Sequence, residues 1–387
     1  MNTTREVGYW RQVASLNLIS CLSQIVQFGI GFVVLPIWLA AIGVSAKEIG
    51  IFSGLQWFAM LVAIVFAPRV INRIGFGCSV FFGLILSVFS YLLLQLPFLI
   101  IYYIAAIFSG AGVGFRWIAN ETWLFQMVPK ESSGRYVGFH ETLIAISGVA
   151  GPALSSYLGA TSIVIFMSGL LICLAAMLPL LIINNTVSLE SDFYRVSQAD
   201  SEVNKWGVIF LVGMCSAIIG GFGDGTFYSL FSVFSISKGL GVDAISSMLI
   251  LFGLGAIVMQ LPIGWLADKI GLHLTAILSG LFGVIAAILI YFYFANNNFL
   301  YLLILLLGGV NSAFLTLAVY AAANEKFGTM AERMKLVSVV FTASSAIGPF
   351  FSGFLFDFYD SGIFFGVCDY IYDFCTICDD CCDEETA

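Results

Sequence analysis

Long apolar runs, repeated along the whole chain, constrain this sequence more than any other feature. Of its 387 residues, 60% are hydrophobic and 10% are charged, and the mean hydropathy is +1.02. Soluble domains carry about 25% charged residues. A helix that crosses the ~30 Å hydrocarbon core of a bilayer needs about 20 apolar residues. Because lipid cannot satisfy backbone hydrogen bonds, these runs predict membrane-spanning α-helices.

The apolar runs and their polar interruptions predict twelve spans in an all-α, polytopic membrane protein. Their approximate limits are 13–41, 47–68, 78–96, 98–125, 136–158, 161–183, 206–235, 243–266, 273–295, 298–323, 334–357 and 362–378. The longest internal polar segment, residues 184–205, follows the sixth span. We expect it to be a cytoplasmic linker between an N-terminal six-helix bundle, 1–183, and a C-terminal one, 206–387.

Basic residues near the span ends predict the orientation of the chain. If the spans alternate in direction, two basic residues, Lys47 and Lys238, lie on one side of the membrane. The others outside the spans all lie on the opposite side: Arg5, Arg11, Arg69, Arg73, Lys130, Arg135, Arg195, Lys205, Lys269, Lys326, Arg333 and Lys335. We therefore expect a multi-pass protein of the cell (inner) membrane with both termini cytoplasmic.

The two halves of the chain share sequence landmarks at nearly one offset, which indicates a duplicated unit. The landmarks are Gly75 and Gly271 in RIGF and KIGL (196 apart), Pro152 and Pro349 in two Gly-Pro pairs (197 apart), and Arg135 and Arg333 (198 apart). Halves in the same order and direction predict two pseudo-symmetric bundles.

Several motifs resemble the major facilitator superfamily. GWLADKIGLH at 264–273 resembles its short loop signature, and SGVAGPALSSYLG at 147–159 is similar to the Gly-Pro motif of its fifth helix. RWIANETW, followed by GRYVGFHET, suggests the YcaD-like branch. The resemblance covers roughly residues 10–365. It implies a major facilitator fold of about 12 transmembrane helices in two six-helix bundles, around a central cavity lined by spans one, four, seven and ten.

The resemblance also implies roles for residues outside the cavity. The gating-loop residues would be Arg73, Gly75, Asp268, Lys269 and Gly271, and the helix-packing residues Gly148, Gly151, Pro152, Gly348 and Pro349. In the first-half loop PRVINRIGF, Pro68 and Asn72 replace the glycine and the acid of the signature. We therefore expect a weaker gate in the first half than in the second.

Span one carries a polar stripe. Its members are Asn17, Ser20, Gln24 and Gln27. Their spacing of i, i+3, i+7 and i+10 places them on one face of a helix. A polar stripe is unfavourable in lipid, so it faces either a wet cavity or a neighbouring helix.

Span four carries Arg116, Asn120 and Glu121. Arg116 lies 18 residues after Phe98, which is about 27 Å along a helix and near its cytoplasmic end. Its side chain would then either snorkel to the interface or face the mouth of a cavity. In the second case it would attract an anionic group or pair with Glu121 or Glu141. Asn120 is one turn from Arg116 and shares its face.

Proton coupling has three candidate residues in the sequence, His140, Glu141 and Asp224. Histidine titrates near physiological pH, and glutamate can shuttle a proton. An interfacial histidine can equally be only solvated or hydrogen-bonded.

Asp224 lies among four glycines in IIGGFGDGTFYSLF. We expect a thinned or broken helix there, because glycine is about 1 kcal/mol worse than alanine in a helix. An acid in such a span is a solute or proton site, or else a carboxyl group held neutral by packing. Tyr228 shares the face of Asp224, and Asn311 lies mid-membrane in span ten.

The C-terminal tail departs from the family pattern. It is acidic and holds Cys375, Cys378, Cys381 and Cys382. C-x-x-C spacing can bind zinc. We expect instead that the tail has diverged from the family sequence and does not form a metal site. No cofactor, metal or catalytic residue is predicted.

These features predict a secondary active transporter that moves a small organic solute by alternating access, with proton coupling as a further hypothesis. The solute would be a drug-like compound, a metabolite or a sugar. The partners expected are this solute and the lipid bilayer, with no nucleic acid, and the protein is expected to be a monomer. A membrane-embedded enzyme and a non-transporting sensor or scaffold stay open as alternatives.

Overall fold

A computed structural model describes residues 3–127, 133–159, 163–183, 207–294, 297–325 and 330–358. Throughout these ranges the regular secondary structure is helical, without strands. By length and composition, nine of the described helices can cross a membrane. The prediction of an all-α, polytopic membrane protein is confirmed.

The helices follow one another with short connections. They are α1 (Thr3–Gln24), a π-helix (Ile25–Val34), α2 (Leu35–Ala41), α3 (Ala46–Leu93), α4 (Leu99–Met127), α5 (Ser133–Leu158), α6 (Ile163–Met177), a 3₁₀ turn (Leu178–Leu181), α7 (Val208–Ser237), α8 (Val242–Ile270), α9 (Leu272–Tyr293), α10 (Asn297–Asn324) and α11 (Met330–Phe358). Apolar side chains cover both their buried and their outward faces, as in helices that contact lipid on one side.

Helix α3 contains the expected spans two and three in one run of 48 residues. The residues between these spans are helical rather than a loop, and the reversal is confined to Gly75, whose φ is 82° and ψ 170°. That conformation is accessible essentially to glycine alone, so one residue is enough to turn the chain. The total of twelve spans stays a prediction, because span 362–378 lies outside the described residues.

Span one is irregular in a way that the sequence did not predict. After α1 the helix winds as a π-helix over Ile25–Val34 and returns to α-helix in α2. Such segments are rare and are frequently found at functional sites. The π-helix begins between two residues of the polar stripe, Gln24 and Gln27.

The chain forms two compact units. Unit 1 contains Met1–Leu35 and Phe58–Ser201, and unit 2 contains Pro36–Trp57 and Glu202–Ala387. The prediction that the halves are duplicated is supported by local conformation. Gly43 and Gly239 both have positive φ and are 196 residues apart, and so are Gly75 and Gly271.

The prediction of a broken helix around Asp224 is wrong. Helix α7 is continuous over Val208–Ser237. A Cβ atom on Gly221 would collide with the backbone of Phe341, and one on Gly225 with the backbone of Ser345, both in α11. The glycines are therefore sites of close helix packing within unit 2, and this packing offsets their low helix propensity.

Candidate functional site

Arg116 in α4 is the centre of a polar cluster in unit 1, and its side chain has no exposed surface. Its Nε donates a hydrogen bond to Gln27 Oε1 at 2.8 Å, and its Nη2 donates to Gln24 Oε1 at 2.6 Å. Gln27 Nε2 in turn donates to Ser87 Oγ of α3 at 2.6 Å. Snorkelling does not fit a fully buried side chain, and the acceptors are neutral amides rather than Glu121.

The start of the π-helix lies where these two amides converge. Gln24 ends α1 and Gln27 lies within the π-helix, and the two donors of Arg116 hold both carbonyl oxygens. Tyr91 adds a second side-chain contact, since its hydroxyl donates to the Val26 carbonyl at 2.7 Å. The irregular segment is therefore supported by side chains of α3 and α4.

Asn120 extends the cluster by one turn of α4. Its Nδ2 donates to Ser20 Oγ at 2.6 Å and to the Leu16 carbonyl at 3.1 Å, and the side chain is fully buried. The predicted polar stripe of span one thus faces α4 inside unit 1. This is the neighbouring-helix arrangement that the sequence left open beside the wet cavity.

His140 in α5 joins the same network through Asn17. The His140 Nδ1 lies 3.0 Å from Asn17 Oδ1, and Asn17 Nδ2 donates to the Val13 carbonyl at 3.0 Å. With its NH₂ group used on Val13, Asn17 presents its oxygen to the ring, so His140 Nδ1 carries a proton. The second ring nitrogen, Nε2, then points toward Glu121.

Glu121 lies on the other side of that histidine. The distance from His140 Nε2 to Glu121 Oε1 is 3.8 Å, and Trp117 Nε1 donates to the same carboxylate oxygen. His140 is fully buried, whereas 20% of the Glu121 side chain is exposed. The histidine therefore lies between a buried amide and a carboxylate that reaches the edge of the cluster. Glu141 belongs to α5, and its side chain lies outside the described part of the structure.

Unit 2 has a smaller polar pair at its own centre. Asn311 Nδ2 of α10 donates to Asp224 Oδ1 of α7, and both side chains are partly buried. Asn311 packs against the bare backbone of Gly223, where a Cβ atom would collide with its Oδ1. Tyr228 is buried one turn further along α7, with its ring edge-on to Phe252 at 5.3 Å. The sequence paired Asp224 with Tyr228 by spacing and did not identify Asn311 as the hydrogen-bond donor.

The residues assigned to the gating loops lie at the helix reversals. Arg73, Asp268 and Lys269 are exposed, and the Lys269 Nζ lies 3.9 Å from the centre of the Trp265 ring. Gly271 separates α8 from α9 with φ 87° and ψ 161°, close to the conformation of Gly75. The structure therefore gives the two loops the same turn, although only the second has an acid before its base.

The residues assigned to helix packing are all buried or nearly so. Gly148, Gly151 and Pro152 lie in α5, and Gly348 and Pro349 lie in α11. A Cβ atom on Gly151 would collide with the backbone of Gly29 in the π-helix. In unit 2 a Cβ atom on Gly348 would come within 2.7 Å of the Phe222 carbonyl oxygen. Each Gly-Pro pair thus lies where α5 or α11 approaches a neighbouring helix closely.

Ser87, Tyr91 and Trp117 were missed by the sequence reading. Ser87 and Tyr91 lie one turn apart in a mostly apolar helix, and Trp117 lies next to Arg116. Their positions opposite Gln27, Val26 and Glu121 follow only from tertiary packing.

Buried ionisable groups in helices long enough to span a membrane commonly mark solute or ion pathways. A comparison with protein families agrees: the Major Facilitator Superfamily profile matches residues 16–241 and 213–368. The chain belongs to this superfamily.

Two curated bacterial relatives match at modest identity. The chain is 25% identical over 236 residues to the uncharacterized MFS-type transporter YfkF of Bacillus subtilis, covering 59% of each chain. It is 25% identical over 250 residues to YcaD of Escherichia coli, also termed an MFS-type transporter, covering 61% of each. The chain thus spans about three fifths of the length of these relatives, and the predicted YcaD-like resemblance is confirmed.

Solved structures share the fold at low sequence identity. A variant of the nucleoside transporter NupG matches with a TM-score of 0.77 at 11% identity, over 95% of this chain and 99% of the other. A D-xylose-proton symporter matches with a TM-score of 0.71 at 14% identity, over 95% and 98%. At these identities the likenesses concern the fold alone, and they agree with the family found from the sequence.

Proposed function

We propose that this protein is a secondary active transporter that moves a small organic solute across a cell membrane by alternating access. The observation that carries the proposal is the cluster around Arg116, in which charged and amide side chains are buried inside a membrane-spanning unit. Ionisable groups inside a membrane are costly and commonly mark solute or ion pathways. Membership of the superfamily points the same way.

The cluster also supports proton coupling as part of this proposal. His140 Nε2 belongs to a buried ring whose other nitrogen is held by Asn17, and it lies 3.8 Å from Glu121. Glu121 is partly exposed, so a proton taken up there has a short path to the ring. Protonation of His140 would create an ion pair with Glu121. The net charge of the residues that contact α4 would then rise by one.

The first experiment identifies a solute and then measures its movement. Purified protein is screened for ligands by thermal shift, since a ligand that binds the folded state raises its unfolding temperature. The hit is then followed in proteoliposomes. Saturable uptake supports transport, because neither the membrane enzyme nor the sensor or scaffold alternative moves solute. Conversion of the hit to a product in detergent, without uptake, would favour the enzyme instead.

Coupling is tested with a matched pair of histidine variants. The chain has two histidines, His140 in the cluster and His273 near the start of α9. We expect His140→Gln to abolish uptake driven by a pH gradient while leaving solute exchange intact, because exchange requires no net proton movement. His273→Gln should behave like the unchanged protein. Gradient-driven uptake by His140→Gln at the unchanged rate would contradict proton coupling through this residue.

A further inference from the structure

One buried face of α4 has unused hydrogen-bonding capacity. Arg116 Nη1, Asn120 Oδ1 and Trp123 Nε1 have no hydrogen-bond partner within the described ranges. The three residues are spaced i, i+4 and i+7, so they share a face over about 10 Å of helix. Their side chains are 0%, 0% and 1% exposed. Buried polar atoms are nearly always paired, so this face has the features of a site that a ligand completes.

The positive charge on this face also has no anion bonded to it among the described side chains. Arg116 donates to two neutral amides, and among the described side chains it forms no ion pair with a carboxylate. The other ionisable groups near it are Glu121 and Cys173. Glu121 is bound by Trp117 and faces His140, and the Cys173 thiol donates to the Leu84 carbonyl at 3.4 Å. A cation buried without a paired anion is costly.

An anion would remove that cost. A carboxylate or phosphate accepts charge-assisted hydrogen bonds, which are about twice as strong as those to a neutral amide. The Nη1 edge of Arg116 is available for such a bond. Asn120 Oδ1, one turn along α4, can accept a hydrogen bond from a donor group on the same molecule. The cluster has exposed surface at Glu121, where 20% of the side chain is exposed.

We infer that the solute is a small organic anion whose carboxylate or phosphate group binds Arg116, an inference that rests on the proposed transport function. Gln24 and Gln27 are then positioning residues, because they orient the guanidinium through Nη2 and Nε and leave Nη1 for the ligand. The neutral character of their amides keeps the positive charge available to the solute.

Binding to the purified full-length protein tests this inference without a transport assay. The probes are acetate, benzoate and inorganic phosphate, at constant ionic strength kept with sodium chloride. Acetamide and benzamide are the neutral counterparts of the two carboxylates. We expect at least one anion to raise the unfolding temperature saturably, and the amides to have no such effect. A response to phosphate alone would identify a phosphate group on the solute, and a response to the carboxylates alone a carboxylate.

Two substitutions place the anion at Arg116. Arg116→Gln should weaken binding of the effective anion by about 10-fold or more, because one charge-assisted hydrogen bond is lost. Gln27→Glu supplies a resident carboxylate to the same guanidinium, so it should raise the unfolding temperature and abolish the response to the anion. Gln95→Glu is the matched control, since Gln95 is exposed near the end of α3. It should change neither property.

If Arg116→Gln does not fold, Gln27→Glu decides the question alone. The inference is overturned if no probe anion binds saturably, or if binding is unchanged in Gln27→Glu. Saturable transport of a neutral solute, with no binding of the anions, would overturn it and leave the transport function standing. Anion binding lost in Gln27→Glu, without flux of any solute, would support the site and argue against transport.

Discussion

At the scale of single residues, each unit has a side-chain hydrogen bond between two helices at a matching position. The ionisable partner is a base in unit 1 and an acid in unit 2. Gln27 and Arg116 are bonded in unit 1, and Asp224 and Asn311 are bonded in unit 2. The pairs are related by offsets of 197 and 195 residues, close to that of the turn glycines. A contact between two helices thus recurs at matching positions, with a cation in unit 1 and an acid in unit 2.

The Asp224–Asn311 bond is expected to stabilise unit 2 measurably. In a double-mutant cycle with Asp224→Ala and Asn311→Ala, we expect a coupling energy of about 0.6–1.7 kcal/mol, the range for hydrogen bonds between membrane helices. Unfolding of the purified protein, followed for both single variants and the double variant, measures it. Additive effects of the two substitutions would show that the bond contributes nothing.

Sequence spacing could identify most of the polar residues in unit 1 but not their partners. The stripe of span one and the Arg116–Asn120 face of α4 follow from helical periodicity. These two faces contact each other, and Ser20 lies opposite Asn120. This contact depends on how α1 and α4 pack. The sequence offered Glu121 as the partner of Arg116 because charge attracts charge, and the structure shows amides in that position instead.

At the scale of helices, glycine content did not predict which helices are regular α-helices. Helix α7 has many glycines and is continuous, whereas the π-helix of span one has only Gly29 and Gly31. Propensity alone favours the opposite result. Tertiary contacts decide both cases: α11 packs on the glycine face of α7, and Arg116 and Tyr91 hold the π-helix from outside.

Close packing predicts that replacing one glycine by alanine has a steric cost and that replacing another has none. Gly151→Ala should lower the stability of the protein by about 1–3 kcal/mol, the usual cost of overpacking, because its Cβ atom meets the backbone of Gly29. Gly264→Ala in α8 is the control, since a Cβ atom there meets nothing within 4 Å. The control should be neutral or stabilising, as alanine favours helix. Equal unfolding temperatures for the two variants would contradict the packing role.

Substitution of the turn glycines should destabilise the protein for a different reason. Gly75→Ala and Gly271→Ala introduce no steric contact, since both positions are open, but each forces alanine to positive φ. We expect each to destabilise the protein by about 1–3 kcal/mol through backbone strain alone. Unfolding in detergent measures this, again with Gly264→Ala as the reference. Wild-type stability in both variants would mean that the reversals can form without glycine.

At the scale of the whole molecule, the sequence was sufficient for the fold class and the family. Apolar runs predicted the helices, and repeated landmarks predicted duplicated halves. The sequence could not show that Pro36–Trp57 groups with the C-terminal residues in unit 2, because that segment reads as an ordinary end of span one and start of span two. Long-range packing of this kind leaves no periodic signal.

The orientation in the membrane stays a prediction and can be tested by labelling. Single cysteines are introduced at Lys47, Lys238 and Arg69 in a protein freed of its native cysteines. A membrane-impermeant maleimide should label the first two in intact cells, and the third only after permeabilisation, because we expect the side with most of the basic residues to be cytoplasmic. Labelling of Arg69→Cys in intact cells, with the other two protected, would reverse the topology.

The composition of unit 2 has a consequence for cleavage of the backbone. A protease that nicks the chain anywhere in 184–205 yields two fragments, but these fragments do not correspond to the compact units. Pro36–Trp57 would leave with the N-terminal fragment, although its contacts belong to unit 2, where Gly50 lies against Gly353 of α11. Neither fragment therefore contains one complete compact unit and nothing else.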